Sequence, residues 1–288
     1  MTTRRHFLQT AGAFGIAPSF LFARKEKLSG VKFGVTDWNL RLPGKPDALA
    51  LAARIGFAGV EVSLGRSIQH GRLPLANVEL QDRYIAGAKK YRVAIDSTCL
   101  DILHTNYLKN DKLGQRWVAE GIEITRKLGA PIMLLPFFGK GALTTRAEMD
   151  YVGDVLRELA PAAEKANVVL GLENTLSAKD NVRIMKRARS KAVLVYYDVG
   201  NSTNAGFNVV KEIRWLGKDR ICQIHLKDGR GYLGAGKINF SAVMRAIAHI
   251  QYAGFIDLET ACPSGSVEGD MRRNLLYIIG LVKEIRNS

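Results

Sequence analysis

From Val31 onward the 288-residue chain alternates short β-type runs with longer amphipathic stretches, eight times in succession. The β-type runs are VKFGVT (31–36), GVEVSL (59–64), VAIDSTC (93–99), PIMLLPF (131–137), VVLGLEN (168–174), AVLVYYD (192–198), RICQIHLKD (220–228) and FIDLET (255–260). Helical spacing of apolar residues marks 46–56, 79–91, 111–129 and 145–166. It marks a short helix before Ser190, then 207–217, 240–251 and a closing helix over 268–285. Within 111–129, Leu113, Trp117, Ile124 and Leu128 fall near one face. A strand, a helix and another strand in repetition force parallel pairing through crossovers. Eight such units closing on themselves predict an α/β chain with a single (β/α)8 barrel over residues 31–286. An open doubly wound sheet would want a Gly-rich turn after the first strand, and TDWNLRLPG (36–44) has no GxGxxG.

Residues 1–23 stand apart from this scheme. Arg4 and Arg5 precede a stretch of apolar and small residues from Phe7 to Ala23, the layout of a secretory signal. Gln9, Thr10 and Pro18 make it a poor membrane-spanning helix. Arg-Arg followed by His-Phe-Leu resembles a twin-arginine signal peptide, which predicts export to the periplasm of a protein folded beforehand. The alternative is a cytoplasmic chain with a basic first helix. Forty-two Lys and Arg against 27 Asp and Glu give a formal charge of +15, which would favour nucleic acid or an anionic membrane. The basic residues are scattered over the predicted helices, so we read them as a solvated surface. Neither a nucleic-acid partner nor stable membrane insertion is expected. Cys99, Cys222 and Cys262 have no zinc-type spacing and no close pairing.

In a barrel of this kind the chemistry sits at the carboxyl ends of the strands. Four consecutive predicted strands in the second half deliver Glu173, Asp198, His225 and Glu259 to that rim, each about one β/α unit after the last. Side chains alternate along a strand. Gln223, His225 and Lys227 therefore share a face, as do Tyr196 with Asp198 and Asp257 with Glu259. The layer beneath the rim is unusually polar for a barrel interior. Three carboxylates on one rim repel each other unless something neutralises them. One divalent metal ion is the economical answer. Three oxygen donors and an imidazole suit Mn2+, Mg2+ or Co2+; Zn2+ fits the set but more often recruits further His or Cys.

The segments GLEN (171–174), YYDVGN (196–201), QIHLKDG (223–229) and DLET (257–260) resemble the sugar phosphate isomerase/epimerase family, the xylose isomerase-like TIM barrels. GFAGVEVS (56–63) is similar to the family's second strand and LGAGKINF (233–240) to its Gly-rich turn before the seventh helix. The resemblance spans roughly residues 31–285. It implies one divalent ion held by Glu173, Asp198, His225 and Glu259, with Glu173 and Glu259 also serving as the catalytic acid/base pair. Many members carry His three residues after the Asp. Here that position is Asn201, which hydrogen-bonds a sugar hydroxyl but cannot exchange protons.

The expected activity is that of a metal-dependent sugar isomerase or epimerase. A cation polarises a substrate carbonyl, a carboxylate takes the adjacent proton and an enediolate forms. Return of the proton to the same carbon epimerises, return to the neighbouring carbon isomerises, and loss of a leaving group makes the enzyme a 3-keto-glycoside lyase or hydratase. Lys227 is a candidate for steadying the oxyanion or a substrate anion, against a rim lysine paired with Asp228. Glu61, at the end of the second strand, is a candidate for reaching substrate or orienting a ligand, against a structural rim carboxylate. Trp38 is a candidate sugar platform, against a structural aromatic, and His104, after the third strand, a candidate pocket-lining residue, although a surface histidine is the expected reading there. His70 and His249 are read as structural or exposed. A metal nuclease on the same barrel would need many His, and of five only His225 lies on the rim. A non-catalytic sugar-binding barrel is the remaining alternative. The partner expected is a small carbohydrate, and the oligomeric state, homo-oligomers included, is left open.

Overall fold

The predicted strands form because β-branched and apolar residues predominate between turn residues, with buried polar residues such as Glu61, Asp96, Gln223 and Asp257 set among them. A computed structural model describes residues 28–288 of the chain. The expected export signal over residues 1–23 lies outside the described residues. Eight strands appear in chain order: β1 (Lys32–Thr36), β2 (Gly59–Ser63), β3 (Ala94–Cys99), β4 (Ile132–Pro136), β5 (Val169–Glu173), β6 (Val193–Asp198), β7 (Ile221–Leu226) and β8 (Phe255–Leu258). All neighbours pair in parallel, and β8 pairs with β1 to close the barrel. The helices are α1 (Asp47–Ile55), α2 (Val78–Tyr91), α3 (Lys112–Lys127), α4 (Arg146–Ala166), α5 (Ala178–Ala188), α6 (Val199–Asn204), α7 (Val209–Leu216), α8 (Phe240–His249) and α9 (Val267–Asn287). No helix among the described residues is long and apolar enough to cross a membrane.

Helix ends follow local chemistry. Thr145 and Glu148 close a capping box at the start of α4, satisfying donors that the first turn leaves free. Three features depart from the sequence reading. Strand β8 stops at Leu258, so Glu259 begins the following loop, although its backbone N–H still donates to Leu226 O on β7. Leu113 is exposed, because it sits in the first turn of α3, whereas Trp117, Ile124 and Leu128 are buried. Helix α6 is an addition: its sequence VGNSTN has no apolar period, and it starts because Asp198 caps it by accepting from Asn201 N–H.

Apolar side chains fill the space between the outer faces of the strands and the surrounding helices. Inside the barrel, Cys99, Ile132, Leu134 and Tyr196 form a separate small cluster. Much of the remaining interior is polar. Gln223 Nε2 donates to Asp257 Oδ2 at 2.8 Å and to Ser97 Oγ at 3.1 Å, and Asp96 lies beside them. Burial raises Asp96 well above the usual carboxylate range, and the neighbouring Asp257 and Glu61 charges add to the effect, which disfavours its charged form. Room for these carboxyls comes from two glycines that pair across β1 and β2, Gly34 and Gly59. A Cβ on Gly34 would overlap both Asp257 Oδ1 and Asp96 Oδ2. Gly34→Ala is therefore expected to lower unfolding free energy by about 1–3 kcal/mol, the usual cost of overpacking. Urea denaturation measures it, and a variant as stable as the parent would show that the acid pair has room to move.

Candidate metal centre

Strands β5, β6 and β7 and the residue after β8 bring Glu173, Asp198, His225 and Glu259 together, with one donor atom from each lying within 4.8 Å of the others. The imidazole organises the group. His225 Nε2 lies 2.6 Å from Glu61 Oε2 and 3.1 Å from Tyr196 OH, and the tyrosine hydroxyl also donates to Glu61 at 3.0 Å. That leaves Nδ1 facing the carboxylates: Glu173 Oε1 at 3.3 Å, Glu259 Oε2 at 3.5 Å and Asp198 Oδ2 at 3.8 Å. A histidine whose second nitrogen is fixed by a buried carboxylate is the arrangement that orients metal-binding imidazoles.

Each carboxylate is held by a different neighbour. Asp198 spends Oδ1 on the α6 cap, while Oδ2 makes no hydrogen bond and has Lys227 Nζ at 3.2 Å. Glu259 accepts from Trp38 Nε1 at 3.2 Å and from Lys227 Nζ at 2.7 Å. Glu173 accepts from Asn201 Nδ2 at 3.2 Å. Lys227 reaches this position past Gly200, where a Cβ would strike the lysine's Cγ. Its partners are Asp198 and Glu259 rather than Asp228, whose Oδ2 instead accepts from Gly234 and Gly236 N–H. The Gly-rich segment after β7 thus wraps that carboxylate.

The charges are unbalanced. Burial pushes Asp198 up to about 7, with Glu259 and Glu173 adding to it against Lys227 and His225. Burial likewise pushes Glu61 up to about 7, opposed by His225. Glu259 stays below its ordinary value, because His225 and Lys227 outweigh its burial. His225 and Lys227 are both held above theirs: burial works against the charged forms, and the surrounding carboxylates overcome it. Four carboxylates, counting Glu61, thus face one imidazole and one ammonium. Hard oxygen donors in excess, one correctly tethered imidazole and a buried carboxylate oxygen without a hydrogen bond fit a divalent cation. A second group, Glu61, His225 and Asp257, also brings donor atoms within 4.8 Å, but it uses the imidazole from the side already taken by Glu61.

A cavity of about 150 Å³ gives access to the group, lined in part by Trp38, His104, Glu173, Asn201, Lys227 and Glu259. Trp38 is thus at the cavity while also gripping Glu259, and its ring meets His225 edge-on with centroids 6.3 Å apart. His104 stacks on Phe138 at 6.4 Å and its Nδ1 lies 2.9 Å from Asp101 O. Glu61 is the third of five residues in β2, not its end, and is fully buried beneath the cavity, so it touches His225 rather than the cavity wall. His70 and His249 are exposed and take no part. Sequence reading passed over Arg66, Asp101 and Phe138, which also line the cavity. All three lie just after strands β2, β3 and β4, at the same carboxyl-end rim as the others, and that position was the available signal.

Comparison with known proteins places these observations. A curated relative, the 2-epi-5-epi-valiolone 7-phosphate 2-epimerase of an Actinoplanes species, is 27% identical over 209 residues, 69% of this chain and 73% of the relative. Among solved structures, L-ribulose 3-epimerase superposes with a TM-score of 0.71 at 17% identity, covering 89% of this chain and 96% of that one. D-allulose 3-epimerase from a Methylomonas species, in complex with D-allulose, gives 0.71 at 16% identity, covering 87% and 96%. At such identities the structures establish likeness of fold. The family model described as xylose isomerase-like TIM barrel matches residues 49–279, from α1 into α9 and across seven of the eight strands, and the chain belongs to that family.

Proposed function

We propose that this chain is a divalent-metal-dependent sugar isomerase or epimerase that moves a proton on the carbon beside a substrate carbonyl, through an enediolate. The observation that carries the reading is the convergence of Glu173, Asp198 and Glu259 on His225 Nδ1 at 3.3–3.8 Å, with Nε2 fixed by Glu61. The Actinoplanes epimerase supports the reaction class. A bound Mn2+, Mg2+ or Co2+ would supply Lewis-acid polarisation of the carbonyl, acidifying the neighbouring C–H. Glu259, kept ionised by His225 and Lys227, is set to accept that proton. Glu173, whose Oε1 lies 3.3 Å from the same His225 Nδ1, is the second carboxyl for returning it. Lys227 is placed to steady negative charge that develops on substrate oxygen, and Asn201 to hydrogen-bond a hydroxyl. The test is wash-in of deuterium from D2O into candidate ketoses and keto-sugars by the metal-loaded protein. Label in the carbon beside the carbonyl is expected; none in any substrate would overturn the reading.

Metal binding should also report on His225. Burial works against its charged form, and Glu61, Glu173 and Glu259 overcome this and raise its pKa in the metal-free protein, which favours the imidazolium. A proton and a cation compete for Nδ1, so binding must release the proton and weaken as pH falls. Calorimetric titration with Mn2+ between pH 6 and 8 is expected to show proton release and an affinity that rises with pH, with Asp198, pushed up to about 7, adding to the release from His225 at the acid end. A flat profile with no proton release would remove His225 from the ligand set.

A further inference from the structure

The small cavity over the candidate metal centre does not stand alone. A groove of about 600 Å³ runs beside it between the loops that follow β1 and β2. Trp38, Arg66 and Asp101 line both spaces. The inner cavity, at about 150 Å³, falls below the roughly 300 Å³ at which small-molecule sites begin, and the two together lie well inside the usual range.

The chemistry of the groove is specific. Its lining combines apolar surface from Trp38, Pro43, Pro74 and Leu75 with the exposed polar side chains of Lys45, Ser67 and Gln69. Flat apolar faces with hydroxyl, amide and ammonium groups around them suit a sugar ring, which has apolar C–H faces and a girdle of hydroxyls. At the seam, Asp101 is buried and fixed by Ser63 Oγ, which donates to it at 2.6 Å, with Arg66 Nε 3.8 Å away. Ser63 in turn is anchored through its backbone N–H, which donates to Asp37 at 3.0 Å. A buried, hydrogen-bonded carboxyl thus stands where the two spaces meet, while the Arg66 cation beside it is largely exposed.

We propose that the substrate is a two-ring carbohydrate: the ring carrying the carbonyl occupies the inner cavity, the second ring occupies the groove, and Asp101 contacts the oxygen or hydroxyl between them. This inference rests on the proposed metal-centred proton transfer, which demands a carbonyl in the inner cavity. Two kinds of two-ring sugar meet that demand. One is a reducing disaccharide whose terminal ring opens. The other is a glycoside bearing a ketone on a ring that cannot open.

Equilibrium binding to the Mn2+-loaded protein tests it with two matched pairs. Lactulose is compared with D-fructose, and 3-ketosucrose with methyl 3-keto-α-D-glucopyranoside. In at least one pair the two-ring sugar is expected to bind about tenfold tighter, and the pair that does so identifies the kind of substrate. Ser67→Trp, at an exposed position lining the groove, puts an indole into the space the second ring needs and is expected to erase most of that ratio; Gln69→Trp serves if the first variant does not fold. Equal affinities within both pairs, no binding of either two-ring sugar, or a preference that survives the tryptophan overturns the inference. Failure of the underlying proton-transfer reading shows separately, as bound sugars that take up no deuterium from D2O.

Discussion

Glu259→Gln is expected to slow deuterium wash-in by about a thousandfold, within the 10²–10⁴ that positioned acid/base groups contribute. The substitution keeps volume and most contacts. In the native protein Trp38 donates to one carboxylate oxygen and Lys227 to the other, so both oxygens face donors. An amide has one oxygen to offer. Either Trp38 or Lys227 then faces an NH2 group, and the group that accepted the proton is gone. Because Glu259 is also a candidate ligand, part of the loss could come through the cation, so metal content must be measured beside the rate. The informative result is a variant that still holds Mn2+ and binds sugar yet exchanges no deuterium. Glu173→Gln should behave alike, with Asn201 losing one acceptor instead. If Glu259→Gln holds metal and exchanges at the native rate, proton transfer runs through another group, and the assignment of Glu259 as the base is lost.

Why these two residues were legible in the sequence, and others were not, has a physical basis. A strand carries its side chains with a period of two, so the last inward residue of each strand declares itself once the strand is found. Glu173, Asp198 and His225 follow that rule, and Glu259 does so one residue beyond the end of β8. The barrel itself was legible for the same reason, through eight strand and helix units. Contacts across the barrel interior have no such local signature. Glu61 touches His225 over a separation of 164 residues, and Tyr196 touches Glu61 over 135. Alternation predicts that these side chains point inward, but only the closed barrel decides whom they meet. Gly34 is harder still, since its meaning lies in the space it leaves for Asp96 and Asp257. Arg66 and Phe138 lie on loops and Asp101 opens a single 3-10 turn (Asp101–His104), where no strand or helix period exists to read. Helix α6 was invisible because a capping carboxylate rather than an apolar face starts it.

Glu61 carries the second large effect, and its size depends on what replaces it. Glu61→Gln preserves a hydrogen-bond acceptor for His225 and removes the negative charge behind the imidazole. Partners of this kind, placed behind a metal-binding histidine, typically change metal affinity by about 10–100-fold. A loss of that size in Mn2+ affinity is therefore expected, with the fold intact. Glu61→Ala is a different perturbation. It leaves His225 Nε2 and the Tyr196 hydroxyl facing a void in a fully buried layer, where the glutamate side chain had 0% exposure. Breaking a buried pair by removing one partner costs about 3–5 kcal/mol, so the alanine variant should unfold at markedly lower denaturant. The comparison separates orientation from mere support. If the carboxylate only fills space, Gln and Glu hold Mn2+ equally and Ala alone suffers. If it sets the basicity and direction of His225, Gln already loses metal while its unfolding midpoint stays close to native. Equal Mn2+ affinity in Glu61→Gln would therefore detach Glu61 from the metal centre and leave the fixed imidazole, on which the functional reading rests, without the partner that fixes it.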